Sequence, residues 1–229
     1  MSHPDQIEIP LFPLPNVVMF PGVKLPLHIF EDRYKEMVNT CLEDDSPFGI
    51  VLFSGEQETP SSIQRVGVIA RVAEVEHLDD GRMNIMTAGE VRFRIARFTA
   101  TEPAWRAEVE LLEDQLESGG RVEALGRQLA ELYLDAYRKG LELTGERPGE
   151  LELPESPAEL SFMLPYVLDI GAEAKQALLE SLSTHDRLVE LIDHLKGASD
   201  RLSRQLELKR VNDTVRGNGD MGRPKFPDE

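Results

Sequence analysis

Residues 9–34, IPLFPLPNVVMFPGVKLPLHIFEDRY, combine strand-forming material with five prolines: Pro10, Pro13, Pro15, Pro21 and Pro26. Proline fixes φ and has no N–H to give a sheet ladder, so this stretch suits neither one central strand nor a helix interior. It reads instead as short strands and sharp corners with blunted edges. In KLPLHI, Leu25, Leu27 and Ile29 alternate with Lys24, Pro26 and His28, the period of a half-buried strand. Pro21 and Gly22 hold the two central positions of a type II turn.

The period then changes. Tyr34, Met37, Val38, Cys41 and Leu42 predict an amphipathic helix of about three turns, with Glu31 and Asp32 at its start. FGIVLF, residues 48–53, is a short apolar run of the kind buried on both sides. Two long strand-like runs follow, RVGVIARVAEVEHL and RMNIMTAGEVRFRIARF, joined by a DDG hairpin turn. Gly89 marks a bulge or bend. Val91, Phe93 and Ile95 are expected on one face, Arg92 and Arg94 on the other. A last strand starts near Trp105. Several strands and one helix in this span predict a small curled sheet or barrel.

The second half is helical in period. Val122, Leu125, Leu129, Leu132, Tyr133 and Ala136 form one apolar stripe. Ser156-Pro157-Ala158-Glu159 is a capping box with proline at the first helical position, and Pro165 ends or kinks the helix it opens. A short helix is expected over 173–182. A long one starts near Ser183 or Thr184, with Leu188, Leu191, Ile192, Leu195, Leu202 and Leu206 inward.

Charge narrows the function classes. The net charge is −17. Residues up to Leu112 contribute −8 and the rest −9, so neither half is cationic. That argues against non-specific binding to nucleic acid or an anionic membrane. No signal peptide and no apolar run long enough to span a bilayer is present, and Cys41 is the only cysteine. A cytoplasmic location is expected.

No catalytic constellation can be assembled. There is no G-x-x-x-x-G-K-[ST] loop and no G-x-S-x-G elbow. Gly217, Gly219 and Gly222 match G-x-G-x-x-G, but no strand precedes them and no helix follows, so the match is accidental. The five histidines, His3, His28, His77, His185 and His194, are scattered and include no H-E-x-x-H pair. Cys41 lies on an apolar stripe and reads as a core thiol. Arg92, Arg94 and Arg97, with Arg71, read as a solvated outer face interleaved with Glu74, Glu76 and Glu90. The expectation is no enzyme, no cofactor and no metal.

The order of the pieces resembles the N-terminal substrate-binding domain of Lon proteases. The L-[FL]-P-L…V-x-[FL]-P-G…[LI]-P-L block is matched by Leu11 to Leu14, Val18, Phe20 to Gly22 and Leu25 to Leu27. Gly67, Val68 and Ala70, then Gly89 and Arg92 to Ile95, match later pieces. Residues 175–195 look like the helical end of the same domain. The resemblance implies an α+β fold: a PUA-like curled sheet or pseudo-barrel with one helix, then an all-helical subdomain ending in a long helix. The expected boundaries are 5–114 for the β subdomain, 119–212 for the helical one and 213–229 for a flexible tail. ATPase and peptidase modules are absent from this sequence, so a stand-alone relative is expected.

By the same resemblance, the expected role is a non-catalytic module binding unfolded or extended polypeptide, with Phe20, Pro21 and Leu25 as candidate contacts and Trp105 more remote. An accessory or adaptor role in ATP-dependent proteolysis, with a protease or chaperone as partner, is the alternative. RNA binding, known among PUA-like folds, is disfavoured by the acidic balance.

Overall fold

The computed structural model describes residues 6–115, 117, 119–149 and 151–218. Asp5 and residues 219–229 of the expected tail lie outside the described residues, as do Gly219 and Gly222. The strands are β1 (Gln6–Pro15), β2 (Lys24–Ile29), β3 (Phe48–Phe53), β4 (Ile63–His77), β5 (Met83–Ala100) and β6 (Arg106–Leu111). The helices are α1 (Asp32–Glu43), α2 (Gly120–Thr144), α3 (Pro157–Val167), α4 (Ala172–Glu180) and α5 (Thr184–Asn218). Among the described residues the architecture is α+β, with one helix among the strands and four after them.

Five strands close on themselves. The order is β2-β5-β4-β3-β1-β6, and β5 also pairs with β6, which closes a ring around Ile9, Leu11, Val51, Ile69, Phe93, Trp105 and Val109. All pairings are antiparallel except β1 with β3. The prolines of β1 follow from this topology. Among the described residues, 6–10 are in register only with β6 and 11–15 only with β3, so apart from Leu11 N–H, which donates to Trp105 O at 2.7 Å, each half of β1 has one side without a strand. A proline costs no ladder bond there. Phe93 fills the ring, and Gly49 and Gly67 make room for it: a Cβ at either would lie within 3 Å of its ring.

The entry turn is pinned to β5. Val23 N–H donates to Phe20 O at 3.2 Å, and Gly22 takes φ +75°, which a type II turn requires. Gly22 N–H donates to Gly89 O, and Gly89 N–H to Val23 O, both at 2.9 Å. β2 then leaves this turn along the far end of β5.

The outer face of the ring carries a second core that runs unbroken into the helices. Phe12, Phe48 and Ile50 from the strands and Phe20 from the turn before β2 join Tyr34, Met37, Val38 and Cys41 of α1, and Leu129, Leu164, Leu178, Leu188 and Leu191 of the later helices. Leu42, expected on the buried stripe of α1, is exposed. α2 and α5 run side by side in the same direction. Glu117, just before α2, accepts from His185 N–H at the start of α5, while Lys209 Nζ donates to Glu142 O and Leu143 O at the end of α2. α5 continues to Asn218, so the first residues expected in the tail are helical.

Candidate functional site

The residues proposed from sequence as contacts do not form a surface. Phe20, Leu25 and Trp105 are buried, and Pro21 alone is partly exposed. Phe20 and Leu25 belong to the outer core, where Phe20 lies 6.5 Å from the Phe162 ring of α3. Trp105 belongs to the interior of the ring and packs edge-on against Phe98. Leu25 sits on the inward row of β2, opposite Thr87. Their apolar character serves packing.

Trp105 is held by a carboxylate. Its Nε1–H donates to Glu58 Oε2 at 2.9 Å. Glu58 also accepts two 2.8 Å bonds from the Arg33 guanidinium and the Tyr34 hydroxyl proton at 3.3 Å. Burial pushes the Glu58 carboxyl up, but the hydrogen bonds from Arg33 and Trp105 and the Arg33 charge outweigh it and hold it below its ordinary value. A depressed carboxyl stabilises the fold above its unfolded value and loses that contribution as pH falls through the folded one. Stability is therefore expected to drop on acidification below about pH 4. Because Glu58 is partly solvated, its share should be about 1 kcal/mol. Urea unfolding of Glu58→Gln across pH checks this, with a flatter acid limb as the expected result.

The arginine face resolves into something else. Arg92 is not a surface residue: it is 2% exposed. It meets the fully buried Arg187 of α5 at the shared carboxylate of Asp114. Arg92 Nη1 donates to Leu179 O at 2.8 Å and Ser181 O at 2.6 Å, the carbonyls at the C-terminal end of α4. Arg187 also donates to Ser161 Oγ and Thr184 Oγ1, each at 2.9 Å. Both guanidinium groups lie over Phe162, at 5.0 and 4.1 Å from the ring centre. This is a joint between β5, the linker after β6 and three helices. Arg97 is paired with Glu108, and Arg71 with Glu90 and Asp45, so the expected row of cations is largely neutralised.

What the surface does offer is the edge of β2. β2 ends the strand order, and its outer side has no strand partner among the described residues. Pro26 has no N–H to give β5, so its nitrogen belongs on that outer side. Lys24, Pro26 and His28 are exposed. Phe30, immediately after the strand, is 61% exposed and stacks on His28 at 6.1 Å. A ring that size in water at the end of an open edge is not explained by packing. The strand pattern showed β2 but gave no sign that Phe30 stays outside, because the apolar run simply continues into it.

Among the described residues, no group of three or more His, Cys, Asp or Glu is placed to hold a metal. No helix among them is long and apolar enough to cross a membrane. Burial pushes the Cys41 thiol up, away from the thiolate a nucleophile needs.

The family model described as the ATP-dependent protease La (LON) substrate-binding domain matches residues 8–197. The chain belongs to this family. Among curated relatives of this LON substrate-binding domain, Lon protease 2 of Myxococcus xanthus is 29% identical over 90% of the chain. Lon protease of Dictyoglomus thermophilum is 24% identical over 90% of it. The chain spans about a quarter of the length of either relative, 25% and 26%. The fold is that of solved Lon N-terminal domains. One from Xanthomonas campestris has a TM-score of 0.58 and 23% identity, covering 82% of this chain and 98% of that one. The N-terminal domain of Mycobacterium avium complex Lon protease has a TM-score of 0.62 and 20% identity, covering 83% and 98%.

Proposed function

We propose that this LON substrate-binding domain is a non-catalytic cytoplasmic module that binds unfolded or extended polypeptide, and that the open edge of β2 with Phe30 receives it. The observation that carries the reading is the exposed Phe30 at the end of an unpaired strand in a chain of this family. An extended segment added to a sheet edge gains main-chain hydrogen bonds from the strand and specificity from neighbouring side chains. Pro26 blunts the edge, removing one donor and guarding against pairing between copies. Phe20, Leu25 and Trp105 then act indirectly, by fixing the frame that presents the edge.

A labelled, permanently unfolded polypeptide titrated with the chain tests this by fluorescence anisotropy. Phe30→Asp should weaken binding about tenfold, the loss expected for one exposed aromatic anchor. No binding by the unaltered chain at tens of micromolar would overturn the reading. Unchanged affinity in Phe30→Asp would remove the edge from it.

An adaptor role beside a protease or chaperone is the second reading. It is favoured by Leu208 and Val211, exposed one turn apart near the end of α5. Their replacement by serine should leave unfolded-polypeptide binding intact and abolish association with an ATP-dependent protease. Substrate turnover that does not change when the chain is added would count against it.

A further inference from the structure

A cleft of about 310 Å³ opens between α1, the start of β1, the loop after α1 and the loop before β6. It shares no lining residue with the β2 edge. One face of α1 builds two parallel rows along it, because residues four apart stack on a helix. The lower row is Met37 and Cys41, both buried, and with Ala104 it makes an apolar floor. The upper row is Glu36 and Thr40, continued by Asp44 at the C-cap of α1, all exposed at the rim. Pro10, Pro47 and Pro103 form walls whose backbone is held stiff.

The rim charges are unevenly committed. Arg33 is taken by Glu31 and Glu58, and Arg106 faces Glu8 at 3.6 Å. Glu36 and Asp44 make no ion pair among the described residues. The C-terminal end of α1, also negative by its dipole, lies beside them. The cleft is thus apolar below and anionic above.

We propose that this cleft is a second polypeptide site, one that takes a single large apolar side chain flanked by lysine or arginine. The apolar group rests on Met37, Cys41 and Ala104, and the cation pairs with Glu36 and Asp44. The volume lies at the small end of ligand pockets, which fits one side chain better than a whole cofactor. Such a site would select basic-hydrophobic segments over acidic ones, whereas edge pairing at β2 reads main chain.

Three capped peptides test the cleft: a leucine between two lysines, the same with glutamates for the lysines, and the same with alanine for leucine. Emission of Trp105, the only tryptophan, reports binding, since its neighbour Ala104 lines the floor. Blocking of Cys41 by a thiol reagent is the second readout. The leucine–lysine peptide should bind and slow Cys41 blocking, and each counterpart should bind at least about tenfold more weakly. Glu36→Lys with Asp44→Lys should invert the charge preference without touching the core, and Thr40→Phe should close the rim. Both variants should keep the unfolded-polypeptide affinity assigned to β2, whereas Phe30→Asp should leave the short peptide unaffected. Equal binding of the lysine and glutamate peptides, or binding untouched by Thr40→Phe, overturns the proposal, as does no binding at millimolar peptide.

Discussion

Replacing Asp114 with alanine should lower the unfolding free energy by about 3 kcal/mol. The substitution leaves Arg92 and Arg187, 2% and 0% exposed, with only neutral acceptors. Two buried guanidinium groups would then face each other without a counter-charge. Removing one partner of a buried charge network typically costs about 3–5 kcal/mol, and the lower end applies because the Asp114 side chain is still 24% exposed. The cause can be isolated. Arg92→Met with Arg187→Met in the Asp114→Ala background should recover most of the loss, since the penalty comes from uncompensated charge more than from a missing attraction. Urea midpoints of the single and triple variants check this. A loss below about 1 kcal/mol in the single variant would mean that water reaches the site and screens it. One core continues from the ring into the helices, so Trp105 emission and helical circular dichroism should report one coincident transition in every variant.

The same joint shows where sequence reading reached its limit. Period-2 alternation placed Phe93 and Ile95 on the inner face of β5, and the structure agrees. The same alternation put Arg92 on the outer face, which is also true. The error lay in equating outer with solvated. The outer face of this ring is covered by helices, and no local pattern in β5 reveals what will pack on it. Leu42 fails for the converse reason: it completes a helical stripe, but nothing reaches far enough round α1 to cover it. The family block fared better because its prolines and Gly22 record backbone constraints, which a sequence states directly. Functional surface is less legible. Phe30 differs from Phe20 only in what the rest of the chain places over it. The cleft becomes visible only when α1 is set beside β1 and the loop before β6, and Glu36 and Asp44 look like ordinary solubilising charges until then.

Gly89→Ala should be among the most damaging small substitutions in the chain, costing about 3 kcal/mol. A Cβ at this position would stand 2.5 Å from Phe20 O, a backbone atom that cannot rotate away. Overpacking typically costs about 1–3 kcal/mol, and a backbone clash belongs at the upper end. Two hydrogen bonds travel with that contact, Gly22 N–H to Gly89 O and Gly89 N–H to Val23 O. Pushing Phe20 away therefore strains the turn that launches β2, and the edge should lose affinity for unfolded polypeptide although Gly89 never touches it. Gly22→Ala supplies the contrast. Its added Cβ meets nothing within 4 Å, so only the left-handed torsion at φ +75° is penalised, about 1–2 kcal/mol. The two variants separate a steric lock from a torsional preference within one turn. Unfolding midpoints that fall equally would show that the turn conformation, not the close approach of β5, holds the entry segment. A larger fall in Gly89→Ala, with weaker polypeptide binding at a temperature where the variant is still folded, would tie the proline-rich entry to function through the position of β2.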